Sequence, residues 1–249
     1  MRKTVLITGA SSGLGAEMAR QLAGRGHHLA LCARRADRLE ELRDEIVRVR
    51  PDTRVQVRTL DVNDHDQVFE VFRGFADDFG TLDRVVVNAG LGKGAPIGTG
   101  RFEANRDTAM TNFVGALAQT EAALEVFRRQ NAGHLVMISS MSAMRGMPRT
   151  VTTYAATKAG VAHLAEGVRA DVLGTPIKVS VIYPGYIRSE MNERVANAPF
   201  MVGTEEGVAA MVDAIEKEKA SAHVPPWPWV PVGLALRHLP LPLARRLMG

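Results

Sequence analysis

Tyr154 and Lys158 stand one helical turn apart in the stretch Tyr154-Ala155-Ala156-Thr157-Lys158. Residues at i and i+4 share a helix face, so a phenol and an ammonium can reach one site together. A cleft-facing ammonium favours the phenolate and lowers the tyrosine pKa from roughly 10 toward neutrality. Such a tyrosine trades a proton with an alcohol or a carbonyl near physiological pH. By itself the pair is common on amphipathic helices. A second feature gives it company: Thr8-Gly9-Ala10-Ser11-Ser12-Gly13-Leu14-Gly15 follows a short apolar run and opens into a helical pattern. Strand, glycine turn and helix in that order make a dinucleotide cradle. Its glycines allow close backbone approach, and the helix N-terminus offers free N–H groups to a pyrophosphate. The spacing is Gly-x-x-x-Gly-x-Gly, with Gly9, Gly13 and Gly15 as the glycines.

The next apolar run ends in Cys32-Ala33-Arg34-Arg35. An acidic residue there would hold the ribose 2′-hydroxyl of NAD, whereas arginine matches a 2′-phosphate. Asp37 reads as a charge at the start of the following helix. Arg34 and Arg35 therefore favour NADP(H) over NAD(H), against the plainer reading of two solvated surface charges.

These residues need elements to position them. Residues 4–8, 29–33, 55–60, 84–88, 134–139 and 178–183 are short, Val/Ile/Leu-rich runs that read as strands buried on both faces. Between them, 14–24, 36–49, 64–79, 102–127 and 154–173 read as helices. Alternation of this kind predicts an α/β fold: a doubly wound parallel sheet of Rossmann type, three layers deep, with right-handed crossovers. Ligands in such folds sit beyond the carboxyl ends of the strands, where strand order reverses. We expect one domain over residues 1–224, followed by an apolar Pro/Trp-rich extension, 225–249. Its opening, Pro225-Pro226-Trp227-Pro228-Trp229-Val230-Pro231, is too proline-rich for a helix or a central strand. A short amphipathic piece, 242–248, follows.

Composition narrows the function. A net charge of +4 spread over alternating acids and bases gives no basic patch, so nucleic acid is not an expected partner. One cysteine, Cys32, forbids a disulfide within the chain, and a reducing cytoplasm is the expected setting. No secretory signal is read before the glycine loop, and no apolar run is long enough to cross a membrane. The seven histidines lack ligand spacing, so no metal site is expected.

The glycine motif, Asn88-Ala89-Gly90, the serines closing the fifth strand, Tyr154-x-x-x-Lys158 and Pro184-Gly185 occur in one order. In that order and combination the chain resembles the short-chain dehydrogenases/reductases, over roughly residues 3 to 190. The resemblance implies a nicotinamide cofactor and hydride transfer to a carbonyl or from an alcohol. It implies that Tyr154 is the general acid/base and that Lys158 lowers its pKa and holds the nicotinamide ribose. Ser140 would hold the substrate oxygen, and Asn112 would support a water relay behind the lysine. Asp61 and Val62 resemble the adenine contact, and Asn88, Ala89 and Gly90 the loop along the cofactor. Pro184, Gly185 and Ile187 resemble the segment beside the carboxamide. Ser189 stands where many members carry threonine over the pyrophosphate.

Some choices stay open at this level. Ser140 fits the family register better than Ser142, with Ser139 a strand-end hydroxyl, although the loop 141–153 is about one residue longer than usual. Asn112 can also be a polar residue bonding backbone. Met141, Met144, Met147, Met191 and Met201 make either an apolar, adaptable pocket rim, suited to a lipophilic substrate, or plain core. A non-catalytic NADP(H)-sensing protein is the alternative to an oxidoreductase. An epimerase or dehydratase, with its different glycine spacing and longer C-terminal domain, and an enoyl reductase, with a wider Tyr–Lys spacing, fit less well. A homodimer or homotetramer is expected. For the tail, a subunit contact or a lid is favoured over an anionic membrane surface, because prolines interrupt the pattern that a surface helix needs.

Overall fold

The computed structural model describes residues 2–92, 94–192 and 199–247. Residues 193–198, between Met191 and Met201 of the expected rim, therefore lie outside the described residues, as do Met248 and Gly249. Seven parallel strands form one sheet: β1 (Thr4–Thr8), β2 (His28–Ala33), β3 (Val55–Thr59), β4 (Arg84–Val87), β5 (Gly133–Ile138), β6 (Ile177–Pro184) and β7 (Ser221–Val224). Their order is β3-β2-β1-β4-β5-β6-β7. The chain thus reverses its direction of growth between β1 and β4, and the crevice above that pair is the topological switch point.

Helices α1 (Gly13–Gly24) and α2 (Ala36–Val49) cover one face, joined by α7 (Thr204–Glu216). Helices α3 (His65–Phe79), α5 (Gly115–Gln130) and α6 (Thr152–Asp171) cover the other. Alternation along β1 shows why both faces are dry: Val5 and Ile7 pack toward the first layer, Leu6 toward the second. The fold is the Rossmann-type three-layer α/β arrangement that the strand–helix alternation predicts.

Four details differ from the expectations. β3 is an edge strand, so Val55, Gln56, Val57 and Arg58 are only half-buried rather than covered on both faces. The expected helix over 102–127 is interrupted. Helix α4 (Phe102–Ala109) passes into a wider π-turn, Met110–Val114, before α5 begins. An inserted π-turn turns the residues within it away from the plain helical face. It buries Thr111 and Asn112 here, which an uninterrupted 3.6 period would not show. Helix α7 and strand β7 went unread; β7 is only four residues long and half polar.

The fourth correction concerns the tail, which is helical after all: α8 (Pro226–His238) and α9 (Leu241–Leu247). Trp227 has extended backbone angles, so the regular helix begins after it. Pro228 then falls at the first helical position and Pro231 three residues on. There the missing N–H groups cost one intrahelical bond or none. Trp229 and Leu236 on α8 are buried in the same core as the sheet.

Candidate active site

The glycine turn after β1 is shaped by contacts that exclude side chains. Gly9 has φ +64°, and a Cβ on it would lie 2.9 Å from the Ala89 Cα. On Gly15 a Cβ would meet the Gly9 carbonyl at 2.4 Å, so α1 can press onto the turn only without one. Gly13 has φ +54° and opens α1. No side chain caps that helix, which leaves the N–H groups of its first turn directed at the crevice. The neighbouring loop is pinned across the switch point. Thr8 Oγ1 accepts from the backbone N–H of Asn88 (3.0 Å) and Ala89 (3.1 Å), and Asn88 Nδ2 donates to the Thr8 carbonyl (2.9 Å). Sequence reading passed over Thr8, although it opens the glycine motif.

A cavity of about 810 Å³ runs from this turn across the sheet's carboxyl edge. That is the size of a cleft holding a cofactor-sized ligand. Gly9, Ser11, Ser12, Gly13, Leu14, Gly15, Arg34, Arg35, Asp61, Val62, Asn88, Ala89 and Gly90 line one end. Ser140, Tyr154, Lys158, Pro184, Gly185, Ile187 and Ser189 line the rest. Of the sequence-predicted site residues only Asn112 is not part of the wall. It lies just behind, its Oδ1 accepting from the Leu91 N–H (2.6 Å) and its Nδ2 donating to the Leu91 carbonyl (2.9 Å). Asn112 does bond backbone, then, and does so against the cofactor-side loop: a Cβ on Gly90 would sit 3.2 Å from its Oδ1 and 3.6 Å from Lys158 Nζ.

At the cavity's centre Lys158, 6% exposed, donates to the Ile138 carbonyl at 2.9 Å. Burial pulls its pKa down to about 8. The Lys158 ammonium lies 5.8 Å from the centroid of the Tyr154 ring. Tyr154 departs from the expectation of a lowered pKa. Burial raises it, and the Ser140 hydroxyl, which bonds it, offsets this only in part. Desolvating the phenolate costs more than the Ser140 bond returns, while the Lys158 amine is engaged at the Ile138 carbonyl. Among the serines, Ser140 is the one against Tyr154. Its Oγ also accepts from the Ser142 N–H (3.1 Å), while Ser139 Oγ donates to the Lys158 carbonyl and holds α6 to β5.

At the far end Arg35, rather than Arg34, meets the glycine turn, donating to Ser11 Oγ (3.2 Å) and Ser12 Oγ (2.6 Å). Arg34 is exposed at the cavity edge and makes no ion pair among the described residues. An acid arrives there from a distant segment: Glu190 takes Arg38 at 2.6 Å and Arg35 at 3.5 Å. Ser189, beside it, sits over Gly13. At the opposite end Trp229, 4% exposed, lies flat on Gly185, where any Cβ would fall 2.0 Å from the indole. Tyr186 and Phe200 meet the same ring edge-on. Glu190 and Trp229 are the site residues that sequence reading missed. Nothing local marks Glu190, while the apolar tail was the signal for Trp229. Met141, Met147, Met191 and Leu236 complete an apolar wall; Met141 also belongs to the buried core, as Met144 does, and neither Met144 nor Met201 lines the cavity.

Known proteins share this fold. The short chain dehydrogenase family profile matches residues 3–199. An uncharacterized oxidoreductase of Mycobacterium tuberculosis strain H37Rv is 51% identical over 245 residues, 98% of this chain and 97% of that one. An alcohol dehydrogenase from the archaeon Thermococcus sibiricus, solved with 5-hydroxy-NADP, superposes with a TM-score of 0.79 at 26% identity. That match covers 89% of this chain and 95% of the other. A short chain dehydrogenase/reductase of Burkholderia phymatum, solved with NAD, shares the fold with a TM-score of 0.85 at 21% identity, covering 98% and 95%. With family profile, near full-length relatives and fold in agreement, this chain belongs to the short-chain dehydrogenases/reductases and is an oxidoreductase of that family.

Proposed function

We propose that the chain reduces a lipophilic carbonyl compound to an alcohol with NADPH. The observation that carries this reading is the convergence of Tyr154, Ser140 and Lys158 on one cavity with the glycine cradle. The cradle fits a dinucleotide: three glycines where a side chain would collide or strain, and uncapped N–H groups facing the crevice. Arg35, with Ser11 and Ser12, and Arg34 at the edge suit a 2′-phosphate. Asp61 and Val62 line the adenine side, and Asn88, Ala89 and Gly90 run along the middle. Pro184, Gly185 and Ile187 would roof the nicotinamide end, and Ser189, over Gly13, the pyrophosphate.

When bound, the nicotinamide supplies the hydride. Ser140 holds the carbonyl oxygen, and Tyr154 gives it a proton. A phenol whose pKa burial has raised stays protonated at neutral pH, which is the donor form that reduction requires. Lys158, with a pKa near 8, holds or passes a proton in the working range. Asn112 fixes the Leu91 backbone, so Gly90 lies against the lysine. Leu236, Trp229 and the methionines keep water from the reacting oxygen and select apolar substrates.

We read residues 1–224 as the catalytic unit and 225–249 as the piece that closes its substrate end, in a cytoplasmic protein. Met110, Phe113 and Leu117 leave an apolar stripe on α4–α5 that suits a homodimer or homotetramer. Single-turnover oxidation of NADPH against a panel of apolar ketones and aldehydes, with NADH in parallel, tests the reaction. Turnover with NADPH is expected. Tight NADPH binding with no oxidation by any carbonyl would instead establish the non-catalytic sensing role.

A further inference from the structure

Helix α8 carries two apolar faces, and only one is accounted for. Trp229, Gly233 and Leu236, spaced i, i+4 and i+7, are buried against the cavity and the sheet. Val230 and Leu234 lie on another side of the helix and are exposed, Leu234 at 63%. Trp227, just before the regular helix, is 79% exposed, and Leu241 and Leu243 of α9 are exposed as well. A large aromatic and four aliphatic side chains left in water within residues 227–243 mark a contact surface.

Charge says what it contacts. After Glu218 the chain contains no further Asp or Glu, while Lys219, Arg237, Arg245 and Arg246 are all basic. Arg237, Arg245 and Arg246 are exposed beside the apolar residues. An apolar strip with an indole, flanked by cations and free of acids, has the composition of a helix lying in a lipid interface. Two-fold pairing of this face would set the arginines of two copies near one another with no acid of the segment to offset them. The stripe of Met110, Phe113 and Leu117 is the face proposed above for self-association, and it lies on other helices. Nor do the prolines of α8 oppose lipid contact: Pro226 and Pro228 precede or open its regular part, and Pro231 costs it at most one intrahelical bond.

We infer that the outer face of α8 and α9 docks on an anionic phospholipid surface, which places the Trp229–Leu236 wall of the substrate cavity at the membrane. The docking does not depend on the proposed reaction. Its consequence does: an apolar carbonyl compound would pass from lipid to the cavity across one helix, with little exposure to water.

Vesicle co-sedimentation tests it, using phosphatidylcholine alone and phosphatidylcholine mixed with phosphatidylglycerol. Binding to the mixture should be on the order of tenfold tighter or more, and should weaken in high salt. Trp227→Ser with Leu234→Ser should lower it by about tenfold, leaving NADPH titration unchanged as a check on the fold. Arg237→Gln, Arg245→Gln and Arg246→Gln together should abolish the preference for phosphatidylglycerol and stand as a second variant should the first misfold. Absence of binding to the mixed vesicles by the wild type overturns the inference. So does a Trp227/Leu234 variant that loses oligomer mass while its vesicle binding is unchanged, since a second copy would then own the face. NADPH oxidation with a carbonyl panel is read separately, so a failure of the reaction and a failure of docking cannot be confused.

Discussion

The two ends of the sheet bury comparable polar chemistry and use it differently. At the amino end, Arg84 donates to His134 Nδ1 at 2.9 Å, and His134 Nε2 meets Ser180 Oγ at 2.7 Å. Arg84 also bonds Glu216 and lies 4.0 Å from Glu218, which Arg2 engages in turn. His27 approaches Glu216 at 3.3 Å. Here the donors and acceptors of one chain are turned on each other. His134 accepts from an arginine and is desolvated, so its pKa falls to about 2 and the ring stays neutral. At the carboxyl end, the N-terminus of α1, Tyr154 and Ser140 present their polar groups to a cavity. Buried polar residues are thus not a signature of function by themselves. What separates the two ends is whether the hydrogen bonds close within the chain or open onto a space that a ligand fits.

Breaking each end in turn tests that distinction. Tyr154→Phe removes only the proton donor and should lower turnover by at least about 10³-fold while NADPH binding survives; turnover near that of the wild type would overturn the assignment. At the other end, Arg84→Met should cost stability and leave chemistry alone. Removing one partner of a buried charged pair costs about 3–5 kcal/mol, measurable as a lower urea midpoint, with kcat per folded molecule unchanged. A loss of kcat there would erase the distinction between the ends.

Smaller effects sharpen the comparison. Arg35→Ala and Arg34→Glu should each weaken NADPH more than NADH. One charge-assisted phosphate contact contributes about 1.5–3 kcal/mol, roughly ten- to a hundred-fold, read by paired fluorescence titrations. Glu190→Gln should move the ratio the other way by a smaller factor, because it removes a competing anion from Arg35 and Arg38. An unchanged ratio in all three would mean the choice is made elsewhere. His134 acts only below neutral pH. Its folded pKa lies below the unfolded 6.5, so the unfolded chain takes up the proton first, and stability falls as pH drops below 6.5. At pH 5 this amounts to about 2 kcal/mol, and His134→Gln should flatten that part of the pH profile.

Much of this was legible in the sequence, and the failures have physical causes. Strands β1 to β6 and the glycine cradle are local patterns: apolar runs, turns and a helix start within a few residues of one another. Tyr154 and Lys158 could be paired because their spacing lies within one helix, whereas Ser140 could be named only through the family resemblance. Asn112 could be named, but its burial depends on a π-turn that leaves no mark on the hydrophobic period. Glu190 reaches Arg35 and Arg38 across some 150 positions, a pairing set by topology alone. The raised pKa of Tyr154 depends on how water is excluded and on the lysine's bond to Ile138. The helical tail was misread because proline content was counted without asking where each proline falls in the first turn.

The flat seat of Trp229 on Gly185 has a consequence for how the protein is made. The glycine turn and the Asn88-Ala89-Gly90 loop are in the chain by Gly90 and the Tyr154–Lys158 pair by Lys158, yet the indole at the apolar end of the cavity is encoded some seventy residues later. At about 5–20 residues per second, a ribosome takes roughly 4–14 s to cover that interval. During synthesis the glycine turn and the Tyr154–Lys158 pair exist before the indole that walls the apolar end of the cavity. Because that wall rests on a glycine, changes around Trp229 should reshape the apolar end of the cavity and leave the Tyr154–Lys158 pair in place.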